Sequence, residues 1–182
     1  MFERTFHGIT GMSHTGFDVE DLDRTIEFYT RVLGAKLQWR RNTGRTELCK
    51  LYIGNLGLSI PQRLAGAPKP EIPFAIHFAF AVDPAVADEC IAHVKACGIE
   101  VDGPNGHGAE GENLTWFFAD PDGHRLEIEA HYATVEEAVA VLERDRAERK
   151  PELGLYQGGD SLPELQTQVA EKAVPLRANH EL

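Results

Sequence analysis

The alternation of apolar and polar positions predicts one series of elements in the first third of the chain. A strand begins at His14, and an apolar stripe at helical spacing follows from Leu22 to Leu33. Asp21 is a suitable N-cap for this helix, and Gly34 supplies its C-terminal stop. Three further strands are expected, at residues 35–41, 47–53 and 56–61.

The same series of elements returns further along the chain. Phenylalanines alternate with small residues over 72–81, which predicts a strand, and Asp83 followed by Pro84 predicts a helix start. Gly98 ends that helix, and further strands are expected at residues 99–101, 114–118 and 125–130. The sequence therefore predicts two strand–helix–strand–strand–strand modules, at about 9–62 and 72–131.

Two histidines stand at equivalent places in this repeat, because His14 and His77 each lie on the first strand of a module. On the last strand, Leu126 and Ile128 alternate with Glu127, so the carboxylate points away from the helices. Burying a carboxylate without a partner is costly, and a metal ion removes that cost. Two histidines and one carboxylate form a set that is typical of non-heme Fe(II) oxygenases.

Composition limits the other possibilities. The chain has 182 residues and a formal net charge of −11, which disfavours binding to nucleic acid or to an anionic membrane. Three cysteines are too few for a disulfide framework, and the first residues contain no apolar run of signal-peptide length. A soluble cytoplasmic protein is the expectation.

Several segments resemble the vicinal oxygen chelate superfamily, which includes glyoxalase I, extradiol dioxygenases, methylmalonyl-CoA epimerase, and fosfomycin and bleomycin resistance proteins. The likeness is carried by His14, the segment FYTRVLGAKL (28–37), His77 and the segment DPDGHRLEI (120–128). The resemblance implies an α+β fold in which paired βαβββ modules form a cupped mixed sheet around a metal site. It also implies that His14, His77 and Glu127 bind the metal, and it favours a homodimer.

The resemblance leaves the reaction open. Aligning the modules puts Ser59 at the place of Glu127, where glyoxalase I and the epimerase usually supply a Glu or Gln ligand. Three ligands are compatible with extradiol dioxygenases and with fosfomycin-type thiol transferases. The ligand spacing favours an Fe(II) extradiol-type dioxygenase acting on a catechol-like or related vicinal-oxygen compound, with Mn, Ni, Zn or Co as other possible metals. The alternatives are a glyoxalase-like lyase, a fosfomycin-type transferase, and a non-catalytic small-molecule binding protein.

Other residues are weaker candidates for the site. His107 lies in a glycine-rich stretch, DGPNGHGAEGEN, and could transfer a proton from a loop that closes over a pocket. Ser59 and Phe117, the latter in an aromatic run with Trp116 and Phe118, are expected to line the substrate pocket. His124, at the predicted turn, is expected to be solvated.

A third helix is expected after the second module. Thr134 and Glu137 have the spacing of a capping box, and Val135, Val139 and Leu142 form an apolar stripe. The predicted domain therefore covers 1–132, followed by a helix and tail at 133–182. The apolar stripe predicts that the helix docks on the core or on a second subunit.

Overall fold

The computed structural model describes residues 12–73, 75–107 and 111–148, with His107 described by its backbone alone. It contains two βαβββ modules in sequence, followed by a helix, which confirms the predicted fold. The first module consists of β1 (His14–Gly16), α1 (Leu22–Leu33), β2 (Lys36–Asn42), β3 (Glu47–Ile53) and β4 (Leu56–Pro61). The second consists of β5 (His77–Val82), a 3-10 turn (Pro84–Val86), α2 (Ala87–Ala96), β6 (Asp102–His107), β7 (Asn113–Ala119) and β8 (Arg125–His131), and α3 (Val135–Glu148) follows.

Each module forms one four-stranded mixed sheet, and the two sheets have the same strand order. The first sheet runs β1-β4-β3-β2 and the second runs β5-β8-β7-β6. In both, the first strand pairs parallel with the last, and the remaining neighbours are antiparallel. The first and last strands of a module are therefore adjacent, and residues far apart in sequence share one face of the sheet.

The first helix begins and ends at the predicted residues. The Asp21 side chain accepts a hydrogen bond from the Arg24 backbone N–H at 3.0 Å, which caps the first turn. Gly34 follows the last turn with a φ of +64°, a left-handed conformation that favours glycine. The buried face of the helix consists of Leu22, Thr25, Phe28, Tyr29 and Val32.

One face of each sheet packs into the core, and period-2 alternation places the other side chains on the opposite face. In β3 and β4 the core residues are Cys49, Leu51, Leu58 and Ile60; in β7 and β8 they are Leu114, Trp116, Phe118, Leu126, Ile128 and Ala130. We call the opposite face, which carries His14 in the first sheet and His77 in the second, the open face.

The turn before β8 ties the second module to the first. Asp122 accepts hydrogen bonds from the backbone N–H of Glu20, at 2.8 Å, and from the Arg24 guanidinium, at 3.2 Å. Asp120 accepts one from the Tyr29 hydroxyl at 3.1 Å. Both aspartates are buried, so the DPDG turn contributes polar contacts inside the packed boundary between the modules.

The strand expected at 99–101 is wrong, because the strand of this segment is β6, at Asp102–His107. β6 lies at the edge of its sheet and pairs through its backbone with β7, so it needs no apolar alternation. A Cβ atom on Gly103 would lie 2.6 Å from the Thr115 carbonyl oxygen, and its φ is +128°. The glycines of this stretch thus permit close strand pairing, where the sequence predicted a loop.

The third helix docks on the core, as the apolar stripe predicts. Thr134 and Glu137 form the expected cap: the Thr134 hydroxyl accepts from the Glu137 backbone N–H at 3.3 Å. Ala138 is fully buried, and Leu142 packs against the core. Of the helices in the described ranges, none has the length and apolar composition that a membrane crossing requires. The division at 132/133 stays a prediction, since residues 149–182 lie outside the described part of the chain.

Candidate metal centre

His77 and Glu127 lie next to each other on the open face of the second sheet. The Nε2 atom of His77 and the Oε2 atom of Glu127 are 2.9 Å apart. The His77 side chain is 39% exposed and the Glu127 side chain 7%. The parallel pairing of β5 with β8 produces this contact, because it sets Glu127 opposite Ala79, two residues beyond the histidine.

The hydrogen bonding of His77 favours a cation at this position. Its Nδ1 atom lies 3.0 Å from the backbone oxygen of Ala75, and a carbonyl can only accept, so Nδ1 carries the proton. In a neutral imidazole, Nε2 then presents a lone pair to the carboxylate of Glu127. Two lone-pair donors at this separation need a proton or a metal ion between them. Two adjacent ligands of one ion, with bonds of about 2.0–2.2 Å, also have a separation of this size.

His14 lies on the open face of the other sheet and is exposed. Its Nδ1 atom is 2.9 Å from the Ser13 hydroxyl, which leaves Nε2 for another partner. Within one chain, the described residues contain no group of three or more His, Cys, Asp or Glu side chains that could hold a metal ion. The structure therefore brings together His77 and Glu127 of the predicted ligands, and His14 does not join them in the same chain.

Ser59 occupies the place in β4 that Glu127 occupies in β8. β1 pairs with β4 so that His14 is opposite Gly57 and Gly16 is opposite Ser59. Ser59 therefore lies opposite the residue two places after His14, just as Glu127 lies opposite the residue two places after His77. The alignment of the two modules made from the sequence agrees with this register, and β4 offers a half-buried hydroxyl where β8 offers a carboxylate.

Among the three consecutive aromatic residues 116–118, Phe117 lies on the open face. Its ring is 6.1 Å from the His77 ring, in an edge-on arrangement, and the Arg125 guanidinium lies 3.9 Å above the Phe117 ring centroid. Trp116 and Phe118, its neighbours in the aromatic run, are buried in the core. Alternation along β7 explains the difference, because neighbouring residues of a strand point to opposite faces.

His124 is buried, and the expectation of a solvated side chain is wrong. Its Nδ1 atom donates to Asp120 at 2.8 Å, and the same carboxylate accepts the His124 backbone N–H at 2.8 Å. Burial and the neighbouring Asp120 carboxylate raise the pKa of Tyr29 well above its usual range. This cluster holds the turn before β8, and through it the start of the strand that carries Glu127.

His107 pairs through its backbone with Asn113, so the segment up to 107 is strand. The side chain of His107 and residues 108–110 lie outside the described part of the chain, and its role in proton transfer stays a prediction. A separate cavity of about 200 Å³ lies between the modules. Its lining comprises Gly16, Phe17, Glu71, Ile72, Pro73, Ile76, Phe78, His124 and Arg125.

Lys50 also lies on the open face, although it is not among the predicted site residues. With Arg40, Arg41 and Arg45 it forms a basic patch in the sequence, for which a solvated face is the first expectation and contact with an anionic substrate the alternative. In the structure Arg40 pairs with Asp23 and Glu47, whereas Lys50 lies opposite Ser59 on β3. Its position between the buried residues Cys49 and Leu51 was the available signal, since a strand residue between two core residues points to the other face.

Comparisons with known proteins agree with this architecture. Residues 11–128 match the family model of the glyoxalase/bleomycin resistance protein/dioxygenase superfamily. A crystal structure of the fosfomycin resistance protein FosX from Listeria monocytogenes superimposes with a TM-score of 0.57 and 26% identity, covering 71% of this chain and 96% of that one.

Curated relatives include proteins of two activities. FosX of Listeria monocytogenes is 30% identical over 132 residues, which are 71% of this chain and 94% of that protein. The glutathione transferase FosA of Serratia marcescens is 28% identical, covering 66% of this chain and 80% of that protein. A probable chloroplastic lactoylglutathione lyase of Arabidopsis thaliana is 30% identical over 140 residues, which are 73% of this chain and 39% of that protein.

These names support an enzyme of the superfamily and lend no support to the extradiol dioxygenase or to Fe(II) in particular. The expected alternatives, a fosfomycin-type transferase and a glyoxalase-like lyase, fit them better. The match over 11–128 covers both modules and all three predicted ligands. The chain therefore belongs to the glyoxalase/bleomycin resistance protein/dioxygenase superfamily.

Proposed function

We propose that this protein is a divalent-metal enzyme of the fosfomycin-resistance type, which adds a nucleophile to a small electrophile that bears an anionic group. The observation that carries the proposal is the set of side chains that can bind the metal ion. His14, His77 and Glu127 are available as ligands, and the place equivalent to Glu127 in the first sheet holds Ser59. A glyoxalase-type site would usually have a Glu or Gln ligand there, so the lyase is the second candidate.

The metal site is proposed to form between two chains. His14 does not meet His77 and Glu127 within one chain, and both open faces present a histidine with an exposed side chain. If the first module of one chain faces the second module of its partner, each of the two resulting sites receives all three ligands. Such an arrangement makes a twofold homodimer with two equal sites.

The residues of this chain have separate tasks in the proposed reaction. The Ala75 carbonyl fixes the orientation of His77 and keeps Nε2 free for the ion. The Glu127 carboxylate supplies negative charge in a buried position, and Phe117 covers one side of His77. A divalent ion, when bound, supplies Lewis-acid polarisation of a substrate oxygen. The reaction would open an epoxide carbon–oxygen bond as the nucleophile bonds to carbon, and the released oxygen would gain the proton that the thiol or water loses.

The proposal is tested by metal reconstitution with three substrate systems. Chelator-treated protein is loaded separately with Mn(II), Co(II), Ni(II), Zn(II) or, without oxygen, Fe(II). Each sample is given fosfomycin with glutathione, with L-cysteine or with water alone, and products are identified by mass. Methylglyoxal with glutathione tests the lyase, and oxygen uptake with a catechol panel tests the dioxygenase.

We expect a metal-dependent fosfomycin product, and the Glu127→Gln variant should lose it while keeping the melting temperature of the parent. The exposed Glu143→Gln variant, changed on α3, serves as the matched control. Hemithioacetal turnover without fosfomycin turnover would contradict the proposal in favour of the lyase. Oxygen uptake with Fe(II) alone would return the assignment to the dioxygenase, and ligand binding without turnover in any system would identify a binding protein.

A further inference from the structure

We infer that Lys50, lying in space left by Gly57, binds the anionic group of the substrate beside His14. This inference rests on the proposed function, because it assigns a partner to the anion in the same site. The ligand class is a small oxyanion such as a phosphonate, a phosphate or a carboxylate. An ammonium group is a compact charge with three donors, which suits the tetrahedral oxygens of a phosphonate or phosphate.

The contact between Lys50 and Gly57 fixes the place of the ammonium group. A Cβ atom built on Gly57 would lie 2.9 Å from both the Cε and the Nζ of Lys50. The same atom would lie 3.2 Å from the Cβ of His14. The end of the lysine therefore crosses the bare backbone of β4 immediately next to the candidate ligand. A side chain at position 57 would push the ammonium group out of this place.

The charge of Lys50 is available to a ligand. Among the described residues, the ion pairs do not include Lys50, and its Nζ atom lies 5.7 Å from the centroid of the Tyr52 ring. By contrast, Arg40 on the neighbouring strand is paired with two carboxylates. In a chain with a net charge of −11, an ammonium group on the open face that belongs to none of the described ion pairs can attract an anionic ligand.

The second sheet also carries a positive side chain near its histidine, but on a different strand from the one that carries Lys50 in the first sheet. Arg125 stands opposite His77 in the strand pairing, where Gly57 stands opposite His14. Phe117 lies opposite Glu127 in the second sheet, and at the equivalent place of the first sheet Lys50 lies opposite Ser59. The guanidinium therefore comes from the last strand of its sheet and the ammonium from the strand beside it. Each candidate histidine has one positive side chain at its flank on the open face.

Phosphate binding tests the role of Lys50 without requiring turnover. Isothermal titration calorimetry measures the dissociation constant of inorganic phosphate for the parent protein and four variants, with the metal content of each sample recorded. Lys50→Met removes the charge at nearly constant volume, and Lys50→Arg keeps the charge. Gly57→Ala keeps Lys50 but fills its space, and Lys95→Met, on the exposed side of α2, removes a lysine remote from the site.

We expect Lys50→Met and Gly57→Ala to weaken phosphate binding about tenfold, the size of one charge-assisted hydrogen bond. Lys50→Arg should stay within about threefold of the parent, and Lys95→Met should not change the affinity. Equal phosphate affinity in Lys50→Met and the parent would overturn the inference, and so would an absence of phosphate binding by the parent. Because no reaction is measured, failure of the fosfomycin assay would not produce either result.

Discussion

Ser59 occupies in the first sheet the position that Glu127 occupies in the second. Each residue lies on the last strand of its module and pairs with a residue two places beyond a candidate histidine. The two sheets therefore share one backbone arrangement but differ in the metal ligand that this position can supply. A neutral hydroxyl is a much weaker metal ligand than a carboxylate. This asymmetry is the reason for proposing three protein ligands, with the other coordination positions left to substrate.

Replacing Ser59 with glutamate should convert the site to four protein ligands. We expect Ser59→Glu to retain metal longer during dialysis against a chelator, because a second carboxylate joins the ion. The fosfomycin reaction should fall by about tenfold or more, since the new ligand competes with the substrate oxygen. Ser59→Ala is the control, and it should keep both properties of the parent. Unchanged turnover in Ser59→Glu would show that position 59 does not face the metal.

The Tyr29 hydroxyl should contribute measurably to stability. It donates to Asp120, which is buried and bound by three further donors: His124 Nδ1, the His124 backbone N–H and the Asp122 backbone N–H. Tyr29→Phe should lower the free energy of unfolding by about 1–3 kcal/mol, as expected for a buried hydrogen bond to a charged group. Urea denaturation followed by circular dichroism measures the change. A Tyr52→Phe variant, changed at a half-buried open-face residue, should unfold like the parent.

Because of Tyr29, we also expect the folded protein to lose stability in alkaline solution. Burial and Asp120 raise the pKa of Tyr29 in the folded protein above that in the unfolded chain, so folding favours the protonated phenol. Its contribution is complete below the unfolded pKa of about 10 and is lost as the pH rises toward the folded pKa. Cys49 acts in the same direction, because burial raises the pKa of its thiol to about 11.

Unfolding free energies measured from pH 7 to pH 11 test this linkage. The parent should lose stability above about pH 9, where Cys49 begins to titrate in the unfolded chain, and more steeply above about pH 10. Tyr29→Phe should lose less than the parent over the same interval. Parallel curves for the two proteins would mean that the tyrosine titrates alike in the folded and unfolded states.

The third helix should stabilise the second module. Leu142 packs on the core, with its Cδ1 atom 3.9 Å from the Cβ position of Gly106, and Arg144 pairs with Asp88 in the first turn of α2 at 2.5 Å. Leu142→Ala should lower the free energy of unfolding by about 1–3 kcal/mol, less than a fully buried leucine. Glu143→Ala, at an exposed neighbouring position, should have little effect. A melting temperature equal to the parent's in Leu142→Ala would show that the helix is not docked in solution.

Much of the fold follows from local patterns. β3 and β4 have the predicted bounds because apolar alternation is regular there and Gly54–Asn55 supplies the break between them. The cap of α1 follows from Asp21, whose side chain needs only its own neighbourhood to bond the first turn. Repetition of these signals in both halves allowed the pairing of modules to be predicted.

The errors concern features that depend on contacts distant in sequence. β6 is held by backbone pairing at a sheet edge, so its glycines and Pro104 concealed a strand. His124 is buried because its turn packs against α1, which lies about a hundred residues earlier in the chain. The solvated patch predicted for Lys50 rests on its nearness in sequence to arginines, whereas its place between the buried residues Cys49 and Leu51 puts it on the open face. The separation of His14 from His77 within one chain could not be predicted, since it depends on how the two sheets pack.

The central claim, that one metal site takes His14 from one chain and His77 with Glu127 from the other, is tested most directly by subunit complementation. His14→Ala and Glu127→Gln are purified separately, and each should bind little metal while keeping the parent's melting temperature. Mixing them under conditions of subunit exchange should restore about one quarter of the parent's metal content, because random pairing makes half the dimers mixed, each with one intact site. A mixture that binds no more metal than the separate variants, after exchange is verified by mass, would contradict a site shared between chains.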